Sequence, residues 1–313
     1  MEAIMKKSSL FHRSTFTSNM KVLMKRRLNI ICVVVTLIFL TTHPVVAQDI
    51  NRYFLTSDSV RIHYTDIGTG ELIIFVPGLS CPLEIWKHQV DFFKSRYRVI
   101  AMDPRSHGRS EITTKGLYLE RLGQDILDLI QYIGQKPLTI VGHSYGMWEV
   151  LSLLDQFGDE VTSSVVLVDN KLVHQVTVES VKSAMQSWSA HQKYPEEATE
   201  GLFRGCFTSP QPEEFIQTLI TLSLNMPGSI FFAIGANGLL VDRNWWTTLD
   251  NTTIPILYTY ARERYTEAAN EMMSRIPEAK VEYLPGAGHC LMVDEPDRFN
   301  HLLESFLLSI TNQ

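Results

Sequence analysis

The chain has 313 residues, of which 45% are hydrophobic and 20% charged, and these proportions are typical of a globular protein. The formal net charge is −6, but residues 1–27 hold seven basic side chains and one acidic one, so the remainder carries 21 basic and 33 acidic residues, a net charge of −12. An acidic body of this kind argues against a nucleic-acid partner. The length allows one large α/β domain with an insertion.

The N-terminal segment predicts export. Basic residues up to position 27 are followed by an uncharged run, 28–47, which ends in the small residue Ala47. This order is typical of a secretory signal peptide, so we expect residues 1–47 to be removed and the protein to be periplasmic or secreted. A retained N-terminal membrane anchor is the alternative, although polar residues and Pro44 shorten the apolar run. After cleavage we expect no stable membrane partner.

Three cysteines follow that segment: Cys81, Cys206 and Cys290. An odd number permits at most one intramolecular disulfide, so at least one thiol stays free unless it pairs with another chain. No spacing of cysteine and histidine indicates a metal site, so we expect neither metal nor cofactor. The sequence does not indicate an oligomeric state.

Strands and helices alternate along most of the chain. Strands are predicted over 52–55, 60–64, 72–76, 98–102, 138–141, 164–168, 255–260 and 280–284. Helices are predicted over 82–95, 117–133, 147–157, 266–275 and 297–310. This alternation predicts an α/β fold with a mostly parallel sheet covered by helices on both faces.

The strand over 98–102 runs into the sequence DPRSHGRS at 103–110. Asp103 stands at the strand end, where an acid can be catalytic, but a structural role is the more ordinary one for an aspartate in a turn. We therefore expect Asp103 and Arg105 to hold this turn in place.

The sequence LTIVGHSYGMW at 138–148 predicts a strand, a sharp turn and a helix. This is the order of a nucleophile elbow, in which the central Ser144 is exposed at the helix N-terminus. Gly142 and Gly146 stand where a side chain would collide with a neighbouring element. The backbone N–H of Tyr145 can then bind the oxyanion that forms when the serine attacks a carbonyl. The alternative is a glycine-flanked turn without chemistry.

Residues 171–250 interrupt the alternation and are rich in aromatic residues and methionine. Some eighty residues are too many for an ordinary loop, so we expect a mostly helical lid between two parts of the core, 48–170 and 251–313. Its aromatic side chains can line a substrate pocket or simply attach the lid to the core.

Four motifs in order carry a resemblance to a known family: VPGLS at 76–80, DPRSHGRS at 103–110, GHSYG at 142–146 and GAGHCLMVDEPDRF at 286–299. Together they resemble the serine esterase-like members of the α/β-hydrolase superfamily. The resemblance implies that the N–H of Leu79 is a second oxyanion donor and that His289 is the catalytic base. The chemistry agrees, because a serine hydroxyl needs an imidazole to accept its proton.

The acid of the triad departs from the family pattern. Family members usually have an aspartate shortly after the strand that corresponds to 255–260, but this loop reads Ala261-Arg262-Glu263-Arg264. Some branches take the acid from the end of the strand after the elbow helix, where this chain has Asp169. We favour Asp169, because a carboxylate there can reach a histidine loop at the same sheet edge. Glu263 is the alternative acid.

These residues predict a serine carboxylesterase-type hydrolase that acts on a small-molecule ester through an acyl-enzyme intermediate. A lactonase, thioesterase or perhydrolase would use the same triad. The serine nucleophile disfavours the haloalkane dehalogenase and epoxide hydrolase branches, which use a carboxylate. From a different class, the altered acid position leaves open a binding protein that retains the pocket without catalysis.

Overall fold

A computed structural model describes residues 51–136 and 138–311 of the chain. The predicted signal peptide, residues 1–47, lies outside the described residues.

Eight strands form one sheet. They are β1 (Asn51–Leu55), β2 (Arg61–Ile67), β3 (Leu72–Val76), β4 (Arg98–Met102), β5 (Leu138–His143), β6 (Ser164–Val168), β9 (Ile256–Tyr260) and β10 (Lys280–Tyr283). Their order is β1-β2-β4-β3-β5-β6-β9-β10. The strand β2 runs antiparallel to both of its neighbours, β1 and β4. All the other adjacent pairs of this sheet are parallel. The predicted mostly parallel sheet is confirmed.

Helices connect these strands. In chain order the core helices are α1 (Lys87–Phe93), α2 (Leu119–Ile133), α3 (Tyr145–Phe157), α9 (Thr266–Arg275), α10 (Leu291–Asp294) and α11 (Pro296–Thr311). The helix predicted over 82–95 is a 3₁₀ turn, Leu83–Trp86, followed by α1. The short helix α10, directly after the motif that contains His289, has no counterpart in the prediction.

Alternate residues of each central strand enter two separate hydrophobic cores. In β3, Ile74 packs in the core that contains α2, α3 and α9, whereas Ile73 packs in the core that contains α1, α10 and α11. Successive side chains of a strand point to opposite faces, so a strand that is buried on both faces needs an unbroken apolar run. All five residues of β3 and of β6 are buried. Helices therefore cover both faces of the sheet.

The segment predicted to be a helical lid contains five helices and one short strand pair within 171–250. The helices are α4 (Val178–Lys193), α5 (Pro195–Cys206), α6 (Glu213–Ser223), α7 (Gly228–Leu239) and α8 (Trp246–Asp250). The strands β7 (Val173–His174) and β8 (Arg243–Asn244) pair antiparallel where the segment leaves and rejoins the core. We keep the name lid for residues 171–250.

A helix that spans a membrane must be long and apolar enough to cross its hydrocarbon core. No single helix within 51–136 and 138–311 is both long and apolar enough, and α6 and α7 meet the criterion only as a pair bent by 88°.

Candidate active site

Ser144 occupies a strained turn between β5 and α3. Its backbone has φ 54° and ψ −119°, a conformation that is rare for a residue with a side chain and that recurs at functional sites. Two close approaches force this turn. A Cβ on Gly146 would lie 2.4 Å from the carbonyl oxygen of Pro77, and one on Gly142 would lie 2.6 Å from that of Gly146. The predicted elbow geometry is therefore present.

His289 connects Ser144 to Asp169. Its Nε2 lies 2.8 Å from Ser144 Oγ, and its Nδ1 lies 2.7 Å from Asp169 Oδ2. The imidazole side chain is 20% exposed, and the carboxylate is fully buried. Serine, histidine and aspartate in this order of contacts form the arrangement that activates a serine hydroxyl.

Asp169 reaches His289 because it directly follows β6. Its own backbone is in the left-handed region, with φ 49°, which is a second strained residue at the same sheet edge. Its N–H donates to the carbonyl of Thr259 at 2.8 Å, and its Oδ1 accepts the N–H of Ala261 at 2.9 Å. Glu263, the alternative acid, is exposed, and the carboxylate in contact with His289 is that of Asp169.

Arg262 is a site residue to which the sequence analysis assigned no role. Its Nε donates to Asp169 Oδ2 at 2.8 Å, and its Nη2 lies 2.6 Å from His289 Nδ1. The Nη2 also donates to the hydroxyl of Tyr265 at 2.7 Å. Catalysis needs the tautomer in which His289 Nδ1–H donates to Asp169. In the other tautomer Nδ1 would accept from Arg262, and Ser144 would lose its proton acceptor.

The charges around His289 set its protonation. Burial lowers the pKa of His289; the hydrogen bond that its Nδ1–H donates to Asp169 raises it in part, and the positive charge of Arg262 lowers it again. Burial raises the pKa of Asp169, but the hydrogen bond with His289, the charge of Arg262 and the N–H of Ala261 contribute to lowering it, and the net pKa is below its usual value. At neutral pH the site therefore holds a neutral base next to a carboxylate, as proton abstraction from Ser144 requires.

Two further side chains hold the backbone of the triad residues. His143 Nε2 donates to the carbonyl of His289 at 2.9 Å, and burial followed by the charge of His289 lowers the pKa of His143 to about 3. Asn170 Nδ2 donates to the carbonyl of Ser144 at 2.8 Å. Their positions, one residue from Ser144 and one from Asp169, were the only signal of these roles in the sequence.

The carboxylate of Asp294, in α10, joins the histidine loop to the lid. It accepts the N–H of Gly288 at 2.7 Å. From the lid it accepts the backbone N–H groups and the hydroxyls of Thr208 and Ser209, at distances from 2.7 to 3.1 Å. Asp294 therefore connects the residue before His289 to the lid segment that follows α5.

The loop that contains Leu79 packs against the nucleophile. A Cβ on Gly78 would lie 2.9 Å from Ser144 Cβ, so only glycine allows this approach. The hydroxyl of Ser80 is hydrogen-bonded to that of Ser223 in the lid. Tyr145 is the first residue of α3, and the first N–H groups of a helix have no acceptor within it. Leu79 therefore follows the glycine that approaches Ser144, and Tyr145 follows Ser144 itself.

The three cysteines are buried as free thiols. The N–H of Cys290 donates to the carbonyl of Cys206 at 3.1 Å, which joins the residue after His289 to the end of α5. Within the described part of the chain, no group of three or more His, Cys, Asp or Glu side chains is placed to hold a metal ion.

Asp103 lies in a structural cluster and not in the triad. Its Oδ2 is 2.7 Å from His63 Nδ1 and accepts the N–H of Arg109 at 2.9 Å, and its Oδ1 accepts the N–H of Leu83 at 2.7 Å. Arg105 is also buried and pairs with Asp125. The expectation that Asp103 and Arg105 hold this turn is confirmed.

Comparison with known proteins identifies the family of this chain. The model of the alpha/beta hydrolase family matches residues 73–302. The chain is 32% identical to the bifunctional esterase/perhydrolase of Acinetobacter calcoaceticus over 119 residues, which is 37% of this chain and 43% of that protein. It is 24% identical to 3-oxoadipate enol-lactonase 2 of Acinetobacter baylyi, over 81% of this chain and 95% of the relative.

Solved structures show the same fold. The bromoperoxidase of Bacillus anthracis superimposes with a TM-score of 0.74 at 20% identity, over 82% of this chain and 99% of that structure. The named relatives support an enzyme with hydrolytic activity. Because the family model covers most of the chain and the fold agrees, the protein belongs to the alpha/beta hydrolase family.

Proposed function

We propose that the protein is a serine hydrolase that cleaves carboxylic esters through an acyl-enzyme intermediate. One observation carries the proposal: the imidazole of His289 lies between Ser144 Oγ, at 2.8 Å, and Asp169 Oδ2, at 2.7 Å. Ser144, His289 and Asp169 are then nucleophile, base and acid.

The first half-reaction forms the acyl-enzyme. Ser144 Oγ attacks the ester carbonyl while His289 Nε2 takes the hydroxyl proton, and Asp169 stabilises the imidazolium that results. The N–H groups of Leu79 and Tyr145 bind the negative charge that develops on the carbonyl oxygen. The C–O bond to the alcohol then breaks, and the alcohol leaves with the proton from His289.

The second half-reaction releases the acid. Water attacks the acyl carbonyl while His289 takes its proton, and collapse of the tetrahedral intermediate returns a proton to Ser144 Oγ. A lactone would open by the same two steps, with the hydroxyl and the carboxylate in one product. The relative named as an enol-lactonase matches over 81% of this chain, which supports lactone hydrolysis as the second candidate.

The experiment is labelling of the purified protein with a fluorophosphonate, followed by peptide mass spectrometry. We expect one adduct, on Ser144, and none in the variant Ser144→Ala. Turnover of 4-nitrophenyl esters should vanish in the same variant. Absence of labelling in the unmutated protein, while a serine esterase labels fully beside it, would contradict the proposal and favour a binding protein that retains the pocket.

We also propose that the protein is exported. The basic and uncharged segments before Gln48 support this, because their order is that of a signal peptide. Sequencing the N-terminus of protein recovered from the periplasm or medium should give Gln48 as the first residue. Full-length protein in the membrane fraction would instead support the N-terminal anchor.

A further inference from the structure

Three cationic residues directly follow the C-terminal ends of the adjacent strands β6 and β9, next to the triad: Lys171, Arg262 and Arg264. We call them the cationic cluster. Both arginines contact Tyr265. Their Nη2 atoms donate to its hydroxyl at 2.7 Å and 3.3 Å, and their guanidinium carbons lie 4.9 Å and 5.1 Å from the centre of its ring. Tyr265 therefore holds two like charges: Arg262, which contacts His289, and Arg264, which is exposed and open to a ligand.

Lys171 belongs to the same cluster. It follows Asp169 by two residues and is half-buried, and its carbonyl accepts the indole N–H of Trp148 in α3 at 2.9 Å. Burial and then the charge of Arg264 lower the pKa of Lys171. The same guanidinium also contributes to the lowered pKa of His289. The charge of Arg264 therefore acts both on Lys171 and on His289.

The positive charges of the cationic cluster outnumber the negative charges that pair with them. Across 51–136 and 138–311, its one carboxylate partner within ion-pair distance is Asp169, which already binds His289 and Arg262. Glu263 is exposed and forms no ion pair with Arg264 or Lys171 among these residues. Most other arginines there do pair with a carboxylate; Arg204 does so with Glu200 and Glu213, for example.

Unpaired cations in this place favour an anionic ligand. Removing an ammonium group from water without a counter-ion costs free energy, and an anion that binds beside it restores the lost interaction. Ligands of open α/β sheets bind outside the C-terminal ends of the strands, where this cluster lies. Guanidinium and ammonium groups both bind carboxylates, the former through two parallel hydrogen bonds. The rest of the chain is acidic, so this local charge is an exception.

We infer that the site selects esters that carry a carboxylate, and that Lys171 and Arg264 bind this carboxylate while Ser144 attacks the ester. The inference rests on the proposed function. Arg262, which is paired with Asp169, contributes positive charge but keeps its place at the triad.

The test compares two esters of equal chain length, mono-4-nitrophenyl heptanedioate, which is anionic, and 4-nitrophenyl heptanoate, which is neutral. We expect the ratio of their kcat/KM values to fall about tenfold in Arg264→Gln and in Lys171→Gln, mainly through a higher KM for the anionic ester. The ratio should also fall as ionic strength rises, because salt screens exposed charges.

Arg61→Gln is the matched control. Arg61 is an exposed arginine that also stacks on a tyrosine, 4.8 Å from the ring centre of Tyr53, but it lies in β2, away from the triad. The substitution Arg61→Gln should leave the ratio of the two kcat/KM values unchanged. A ratio that stays the same in Arg264→Gln and Lys171→Gln would overturn the inference even if both esters are hydrolysed.

A binding measurement separates this inference from the proposed function. Calorimetry should show heptanedioate binding to the unmutated protein, with affinity about tenfold weaker in Arg264→Gln. If neither ester is hydrolysed but this binding and its loss are seen, the hydrolytic proposal fails and the anion site stands. If heptanedioate does not bind at millimolar concentration, or binds equally well to the variant, the anion site is disproved.

Discussion

At the scale of single residues, the orientation of His289 depends on the carboxylate of Asp169. This carboxylate is fully buried and accepts from His289, Ala261 and Arg262. A buried acceptor with three charged or polar partners has little freedom to rotate. The same strand end that strains the backbone of Asp169 therefore also holds its side chain in one position.

Replacing each of the two carboxylates in turn should show whether Asp169 or Glu263 is the acid of the triad. In Asp169→Asn we expect kcat to fall about 10³- to 10⁴-fold, because an amide no longer selects the productive tautomer of His289 or stabilises its charged form. The control Glu263→Gln changes an exposed side chain and should leave kcat within about twofold. Steady-state hydrolysis of a 4-nitrophenyl ester measures both. Equal effects of the two substitutions would disprove the assignment.

Arg262 should set the acid limb of the pH profile. Its charge is one of the causes that lower the pKa of His289. In Arg262→Gln that cause is removed, so the pKa of the base rises and activity, which needs neutral His289, appears only at higher pH. Arg262→Lys keeps the charge and should keep the limb near its original position. The measurement is kcat/KM against pH, and an acid limb that moves to lower pH in Arg262→Gln would contradict this account.

At the scale of elements, the lid and the histidine loop are joined by one carboxylate. Asp294 accepts hydrogen bonds from Gly288 in the loop and from Thr208 and Ser209 in the lid. Burial raises its pKa, but the hydrogen bonds from Ser209, Gly288 and Thr208 outweigh this, so the folded-state pKa lies below its usual value. The stabilisation is therefore present above pH about 4, where an unfolded-state aspartate is ionised, and is lost as pH falls through the folded-state pKa.

Removing this carboxylate should loosen both elements. In Asp294→Ala we expect the free energy of unfolding to fall by about 2 kcal/mol, because several donors lose a charged acceptor. Proteolytic cleavage near Thr208 should become faster, and kcat should fall because Gly288 no longer holds the loop of His289. The neighbouring Glu295→Ala removes an exposed carboxylate and serves as the control. Unchanged unfolding and proteolysis in Asp294→Ala would show that the contact contributes nothing.

At the scale of the whole molecule, a buried ionic cluster ties together parts of the chain that are distant in sequence. Arg105 is fully buried and pairs with Asp125 of α2 and with Asp58 of the turn before β2. Arg121 pairs with Asp125 and with Asp128. Breaking a buried pair from one side leaves an uncompensated charge, which costs more than the pair itself contributes.

Arg105→Met should therefore destabilise the whole fold. We expect a loss of about 3–5 kcal/mol in the free energy of unfolding, because burial already raises the pKa of Asp125 and the guanidinium of Arg105 opposes that rise. Adding Asp125→Asn should restore part of the loss. Arg204→Met removes an exposed ion pair in the lid and should leave stability unchanged. Denaturant unfolding is the measurement; equal curves for Arg105→Met and Arg204→Met would contradict the prediction.

Local patterns in the sequence were enough for the α/β architecture and for two triad residues. An unbroken apolar run such as 72–76 is typical of a strand buried on both faces. The glycine pattern around Ser144 stands between a predicted strand and a predicted helix, and His289 stands in a glycine-rich loop directly after a strand. These patterns are visible in the sequence by itself, although the contact that requires Gly146 is made by Pro77 in another segment.

Only the tertiary structure shows which carboxylate contacts His289 and which charges surround it. Asp169 and Glu263 both stand near strand ends, and only the adjacency of β6 and β9 in the sheet shows which carboxylate meets the imidazole. Arg262 contacts His289 from another segment, and Asp294 connects the loop of His289 to the distant residues Thr208 and Ser209 of the lid. Neither contact has a local signature in the sequence. Contacts between distant residues depend on how the sheet and lid pack, and a single sequence does not encode that packing in any short pattern.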